Sequence, residues 1–307
     1  MKIGALIVTT GLPRISGVAV LVSQVGTVTA GQRMISCFQR AGVSLVGLVV
    51  GPENKKSERA IAQNDVIFLR GEDGKTSFFH GMQLGLAFLE KQFDRVFVVP
   101  GDTPLFLPQT LEALLQSEAN VVQPENKHVN GFPVLLDRQA MEAICNAQSA
   151  EEAEVSVSRL QVESVQVDDP GILLRGGDMS RRKNLIRHHN AQLARPVTEI
   201  TLSTGSSLYD PKLAMMLHLV EQTRSVREAC SMMQISYSTA WNLLNRVEDE
   251  LGFPLVVRIR GGSTGSGSEL TEKGRSLMDA YDSYVQQLNQ EAQNLFKAYF
   301  SALLDTE

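Results

Sequence analysis

Tyr237, Ser238, Asn242, Asn245 and Arg246 fall on one side of a segment whose other side carries Ala240, Trp241, Leu244, Val247 and Leu251. That spacing predicts a helix with a buried face and a polar face. Asn and Arg make paired hydrogen bonds to base edges in a DNA major groove, and the early residues of such a helix enter first. Upstream, Val226, Ala229, Cys230 and Met233 recur at i, i+3, i+4 and i+7, with Ser225 placed as N-cap and Arg227 added to the candidate contacts. Two short helices joined across Gln234–Ser236 make a helix-turn-helix. Phe253–Arg260, the glycine-rich Gly261–Gly267 and Ser268–Thr271 then read as strand, loop and strand, a wing whose Arg258 and Arg260 suit phosphate contact. The plainer alternative is a helical hairpin followed by a surface β-hairpin.

Two further turns, in the first third of the chain, carry chemistry of another kind. Thr9–Gly17 holds Gly11 and Gly17, small residues that let backbone N–H groups approach a phosphate. Val98-Val-Pro-Gly-Asp-Thr-Pro104 presents Asp102 after an apolar run, and a carboxylate free at a strand end suits a hard divalent cation. The elements that must hold these turns alternate. Ile3–Val8, Leu45–Val50, Val66–Leu69, Val96–Val99 and Val121–Val122 read as strands, with helices over Gln32–Ala41, Thr76–Lys91, Pro108–Gln116 and Gln139–Ala147. The expected fold class is α/β, a mostly parallel, Rossmann-like sheet covered by helices, whose ligands sit beyond the carboxyl ends of the strands.

The 307 residues are enough for two domains. A net charge of -5 gives no global attraction to nucleic acid, and Arg224–Arg275 sets seven basic residues against six acidic ones, so contact must depend on local placement. Cys37, Cys145 and Cys230 lie far apart, without metal-ligand spacing, which fits a reduced cytoplasm. Met1–Val8 reads as a first strand and not a signal peptide, and no run has the apolar length of a membrane span. His188 and His189, among Arg181, Arg182, Lys183 and Arg187, read as a solvated pair.

At Ile235-Ser-Tyr-Ser-Thr-Ala-Trp241, Gly252-Phe-Pro254, Gly261-Gly262 and Leu270-Thr-Glu-Lys-Gly274, the chain resembles the winged-helix domain of the molybdate-responsive ModE regulators, related to LysR-type DNA-binding domains. The likeness covers about Leu208 to Tyr284. It implies a double-stranded DNA partner and a homodimer. The molybdate-binding domain that the resemblance would place next is not in this sequence, so a signal is expected from elsewhere.

Gly101-Asp102 with Pro104, Gly74-Lys-Thr-Ser77, Gly131-Phe-Pro-Val-Leu-Leu136 and Val167-Asp-Asp-Pro-Gly-Ile-Leu173 fall in the order of the MobA and MocA-like nucleotidylyltransferases of molybdenum cofactor synthesis. That resemblance spans roughly Met1 to Ala194. It implies a nucleotidylyltransferase fold, GTP or CTP and a pterin phosphate as ligands, and magnesium. Carried onto this chain, it puts Gly11, Arg14, Gly17, Ser77, Gly101 and Asp102 at the nucleotide, with Asp102 also at the metal. The first loop departs from the pattern: Pro13 stands at the family's serine, Ile15 at its arginine and Val20 at its lysine, with Arg14 one place away. In Arg175-Gly-Gly-Asp-Met179, Gly177 stands where a second metal acid belongs and Asp178 is displaced by one. These departures put catalysis in doubt, since each lost oxyanion donor alone is worth about 10²–10³ in rate.

Two domains joined by a linker follow: 1–194 transferase-like, 195–207 a linker in which Val197–Leu202 alternates as a short strand, and 208–307 a winged helix-turn-helix with a long C-terminal helix. On that last helix Leu277, Tyr281, Tyr284, Leu288, Leu295 and Tyr299 recur at near-heptad intervals, which favours a helix pair between protomers or packing within the chain. The leading expectation is a DNA-binding regulator whose transferase-like domain senses a nucleotide, pterin or molybdenum-cofactor-related ligand. The rival is a working transferase that also binds DNA, which would need Arg14 or Arg33 to enter the phosphate site. A scaffold that binds no DNA is the third reading.

Overall fold

The computed structural model describes residues 1–12, 19–51, 61, 66–70, 77–176, 182–194, 196–204, 207–259 and 267–304. Arg14, Gly17, Gly177, Asp178 and Arg260 lie outside the described residues. Met1–Ile61 with Val66–Ala194 forms one compact unit, and the described residues from Pro196 onward form a second.

In chain order the first unit contains β1 (Ile3–Val8), β2 (Gln24–Val25), β3 (Val28–Thr29), α1 (Ala30–Arg40), β4 (Leu45–Val50), β5 (Val66–Arg70), α2 (Phe78–Leu89), β6 (Arg95–Pro100), α3 (Pro108–Leu114), β7 (Val121–Asn126), β8 (Val129–Asn130), β9 (Val134–Asp137), α4 (Arg138–Asn146), α5 (Ala150–Val157), β10 (Val162–Gln166) and α6 (Lys183–Gln192). The main sheet runs β10-β7-β9-β6-β1-β4-β5, with β8 paired to β7. β6, β1, β4 and β5 are parallel, with Leu6 opposite both Gly47 and Val98. β9 lies antiparallel between β6 and β7, so the sheet is mixed at that end.

The runs Ile3–Val8 and Leu45–Val50 hold almost no polar residue because helices cover both faces of the central strands. α1 begins in a reciprocal capping box between Thr29 and Gln32. α2 lies directly on β1: a Cβ at Gly85 would stand 2.2 Å from Leu6 Cδ1, so the close approach needs glycine. The core between α1, α3 and the sheet is apolar and aromatic, with Phe38 between Phe97 and Phe106 at ring separations of 5.9 and 5.2 Å.

The second unit contains β11 (Leu202–Ser203), β12 (Ser207–Tyr209), α7 (Pro211–Thr223), α8 (Val226–Met233), α9 (Tyr237–Leu251), β13 (Val256–Ile259), β14 (Gly267–Leu270) and α10 (Glu272–Leu304). The expected strand at Val197–Leu202 reduces to Leu202, which pairs with Tyr209. The first helix starts at Pro211 rather than Leu208, because Asp210 caps it by accepting the Leu213 N–H at 2.8 Å and proline fills its first position. Tyr209 is instead a buried strand residue, its ring 4.6 Å from that of Tyr281.

α7, α8 and α9 bury Leu213, Met216, Leu217, Val220, Val226, Ala229, Cys230, Ala240, Leu244 and Val247 together. Met232 takes the fully buried place expected of Met233, which is only half-buried at the helix end. The six-residue stripe on α10 divides. Tyr281 is buried within its own unit and donates its hydroxyl to Ile200 O at 2.5 Å, whereas Tyr284, Leu295 and Tyr299 are exposed. No helix among the described residues is long and apolar enough to cross a membrane.

Candidate functional site

The turn between α8 and α9 is made by Gln234 in the left-handed region at φ 56° and by Ser236, whose hydroxyl accepts the Thr239 N–H at 3.0 Å. A single capping serine thus fixes where α9 starts, and burial of Ala240, Leu244 and Val247 fixes which of its faces looks outward. Tyr237, Ser238, Asn242, Asn245 and Arg246 are all exposed along that face. Trp241 is half-buried, in an edge contact with Tyr237 at 6.1 Å. Arg227, exposed on α8, lies 5.7 Å from the Tyr237 ring.

The wing is tied to the helices at three places. Glu248 Oε1 accepts the N–H groups of Leu255 and Val256 at 2.6 and 3.0 Å. Arg224, left-handed at φ 55°, accepts the Ser268 N–H on its carbonyl and pairs its guanidinium with Glu269 at 2.6 Å. Arg258, exposed on β13, stacks its guanidinium 4.5 Å above the Trp241 ring. Arg258 therefore has a packing role beside the phosphate role expected of it, and the sequence carried no sign of that contact. Arg275 holds α10 to α7 through a bidentate pair with Glu221.

In the first unit, the end of β1 meets both other candidate segments. Gly11, at φ 74°, is so close to the start of α2 that a Cβ would lie 2.7 Å from Phe78 N. Thr10 donates its hydroxyl to Ser77 O at 3.2 Å, and Ser77 caps α2 through the His80 N–H. On the other side, Gly101 N–H donates to Val8 O at 2.9 Å. The structure thus brings Gly11, Ser77, Gly101 and Asp102 together at the carboxyl ends of the central strands β1 and β6.

The Asp102 carboxylate is not free. It is nearly buried, and Arg175 Nε donates to its Oδ1 at 3.1 Å while Gly176 N–H donates to the Asp102 carbonyl at 2.9 Å. Among the described residues no three His, Cys, Asp or Glu side chains converge to hold a metal ion. A hard divalent cation requires several oxygen ligands. Among the described residues the site offers one carboxylate, already matched by a guanidinium, and that set does not fit such a cation.

Arg33 does not enter this site. It is wholly buried in α1, where Nε donates to Val25 O at 2.7 Å, and Nη1 donates to Asn190 Oδ1 at 2.7 Å and meets His189 Nδ1 at 3.2 Å. His189 is accordingly not solvated, a correction to the expectation for the histidine pair. α6 turns Ile186 and His189 inward, three residues apart, and leaves His188 exposed. His189 Nε2 meets Phe106 O at 3.0 Å, and Cys37 Sγ lies beside both. Burial, with Arg33 adding to it, pushes the imidazole pKa down to about 3, and burial pushes the Cys37 thiol up. Asp169, in the motif Val167–Leu173, is also buried and accepts from Leu107 N, Thr110 Oγ1 and Gly171 N at 2.7, 2.7 and 2.8 Å. Its role is to bind the segment before α3 to the turn after β10, and burial raises its pKa.

Both folds match known family models. Residues 19–165 match the MobA-like NTP transferase domain, and residues 212–275 match the bacterial regulatory helix-turn-helix protein, lysR family. The chain joins a MobA-like NTP transferase domain to a LysR-type helix-turn-helix domain. The transferase match begins downstream of the Gly11–Gly17 loop and stops short of Arg175.

Among particular relatives, the chain is similar to the molybdenum transport protein ModE of Azotobacter vinelandii, 32% identical over 77 residues, which is 25% of this chain and 28% of that protein. It is also similar to the DNA-binding transcriptional dual regulator ModE of Escherichia coli (strain K12), 31% identical over 94 residues, 30% of this chain and 36% of the relative. The chain thus spans about a third of the length of these curated relatives. The first unit shares its fold with a nucleotidyl transferase from Methanothermobacter thermautotroptrophicus, at a TM-score of 0.51 and 17% identity over 62% of this chain and 98% of that one. It shares it as well with Rv0371c from Mycobacterium tuberculosis H37Rv, at a TM-score of 0.50 and 17% identity over 60% and 98%.

Proposed function

We propose that this protein is a DNA-binding transcriptional regulator of molybdenum metabolism, in which the NTP-transferase-like domain serves as a ligand sensor. The observation that carries the reading is α9. Its inner face is fixed by Ala240, Leu244 and Val247, its start by Ser236, and its outer face offers Tyr237, Ser238, Asn242, Asn245 and Arg246 together. That arrangement suits insertion of the first two turns into a major groove, with Arg227 and the wing residues Arg258 and Arg260 on the flanking phosphates. The similarity to ModE proteins across this region supports both DNA as partner and the link to molybdenum.

On this reading residues 1–194 form the sensor and 208–307 the DNA-binding domain, with 195–207 between them, in a cytoplasmic protein. The exposed Tyr284, Leu295 and Tyr299 on α10 form the contact of a homodimer, which would match two half-sites of an operator. The sensor takes a nucleotide, GTP or CTP, or a pterin related to the molybdenum cofactor, where Gly11, Ser77, Gly101 and Asp102 converge, with Arg14 and Gly17 as candidates from the sequence alone. Catalysis is not assigned to it, because Asp102 is paired with Arg175.

The test is binding of labelled duplexes from upstream of this protein's own gene and of molybdenum-related genes, over a salt series. Specific binding with log K falling linearly in log salt supports the reading, each neutralised phosphate adding about 0.9 to the slope. Equal, weak binding to all duplexes would contradict it.

A further inference from the structure

At the carboxyl ends of β1 and β6 the described residues suit an anion better than a metal. Its one described carboxylate, Asp102, is closed by Arg175, and a divalent cation brought there would meet the guanidinium charge within a few ångströms. Arg175 uses only Nε on Asp102. Its two terminal amino groups have no hydrogen-bond partner among the described residues, and the side chain is half-exposed, 5.8 Å from the Phe132 ring. A guanidinium carries five N–H donors in a fixed fork that matches phosphate oxygens, so most of its capacity is available.

Two neighbouring features bear on the same ligand, one positive and one a neutral donor. The Thr9–Gly11 loop connects the Asp102 turn to the start of α2, a twelve-residue helix whose first amide N–H groups carry partial positive charge. Thr103, next to Asp102, is completely buried and its hydroxyl has no partner among the described residues. A buried hydroxyl without a partner costs stability and signals a missing hydrogen bond.

We infer that Arg175 replaces a divalent cation on Asp102, and that the N-terminal domain takes a nucleoside phosphate as a metal-free anion held by the Arg175 guanidinium. The inference rests on the ligand-sensing reading above and specifies its chemistry. Asp102 is a positioning residue in this arrangement: it fixes the plane of the guanidinium and leaves the terminal nitrogens for the ligand.

Calorimetric titration of the full chain with GTP and with CTP, each in EDTA and in excess magnesium, tests it. One of the two nucleotides should bind equally well in both conditions. Arg175→Ala should weaken binding in EDTA by roughly tenfold or more, the loss expected of charge-assisted hydrogen bonds, while Arg175→Lys retains part of it. Titration of the nucleotide-free protein with Mn²⁺, followed by electron paramagnetic resonance, should leave the free-ion signal unchanged. Binding that requires magnesium, stoichiometric uptake of Mn²⁺, or no binding of either nucleotide would overturn the inference. DNA binding by the same preparation separates its failure from that of the regulator reading, since operator affinity in the absence of nucleotide does not depend on Arg175.

Discussion

His189 makes the first unit sensitive to acid in a way that can be calculated. The buried imidazole has its pKa lowered from the ordinary 6.5 to about 3, chiefly by burial. A group of this kind is protonated in the unfolded chain well before the folded one, so its contribution is intact above about pH 6.5 and is lost as pH falls toward 3. Between pH 7 and pH 5 the loss is about 2 kcal/mol, which for a unit of this size lowers the melting temperature by roughly 4–8 °C. His189→Gln keeps one donor and one acceptor for Phe106 O and Arg33 but cannot titrate. Differential scanning calorimetry of wild type and variant at both pH values isolates the effect, because every other group is common to the two. Asp169 is one such group, and its raised pKa acts with the opposite sign. The wild type should lose about 2 kcal/mol more than the variant on acidification. Equal acid shifts in the two proteins would refute the assignment of a neutral, buried His189.

Asn242→Ala should lower discrimination between operator and non-operator DNA by roughly 5- to 150-fold, the range for one paired base contact, with little change in the salt slope. Arg258→Ala should weaken binding to all duplexes alike, reduce the slope by about 1, and cost the winged unit about 0.5–1 kcal/mol through loss of its stacking on Trp241. Asp169→Ala leaves two N–H groups and a hydroxyl unpaired in the interior, and should destabilise the first unit by about 3–5 kcal/mol in calorimetry. Leu295→Glu combined with Tyr299→Glu should give a monomer in sedimentation experiments without changing the melting of the winged unit, because both side chains are exposed.

What could be read from residues alone follows the physics of each signal. β1 and β4 are buried on both faces, so their apolar runs are continuous and their ends unambiguous. The edge strand Val162–Gln166 is mostly exposed and reads as polar chain, so nothing local marks it. β9 is recognisable only through the family-like motif Gly131–Leu136, not through any period of its own. The helix-turn-helix is legible because its core positions recur at helical spacing and each helix begins with a capping serine.

Side chains whose role depends on distant partners were not legible. His189 sits in a basic, polar segment, and only the packing of α6 against α1 buries it on Arg33. Tyr281 shares the spacing of an intermolecular stripe, yet β12 supplies a tyrosine that covers it. Arg175 lies 73 residues from Asp102, and the residues around it in sequence give no reason to pair the two. In each case the missing information is tertiary: which polar group another element delivers to that place.

A sensor domain must change DNA affinity when its ligand binds, and the direct measurement is the operator dissociation constant of the full chain with and without saturating GTP or CTP. Coupling between two sites is a free energy shared by both, commonly about 1–3 kcal/mol. One of these nucleotides should shift operator affinity by roughly fivefold or more, and operator DNA should shift the affinity for that nucleotide by the same factor. An operator affinity identical in the presence and absence of a nucleotide that demonstrably binds would contradict it.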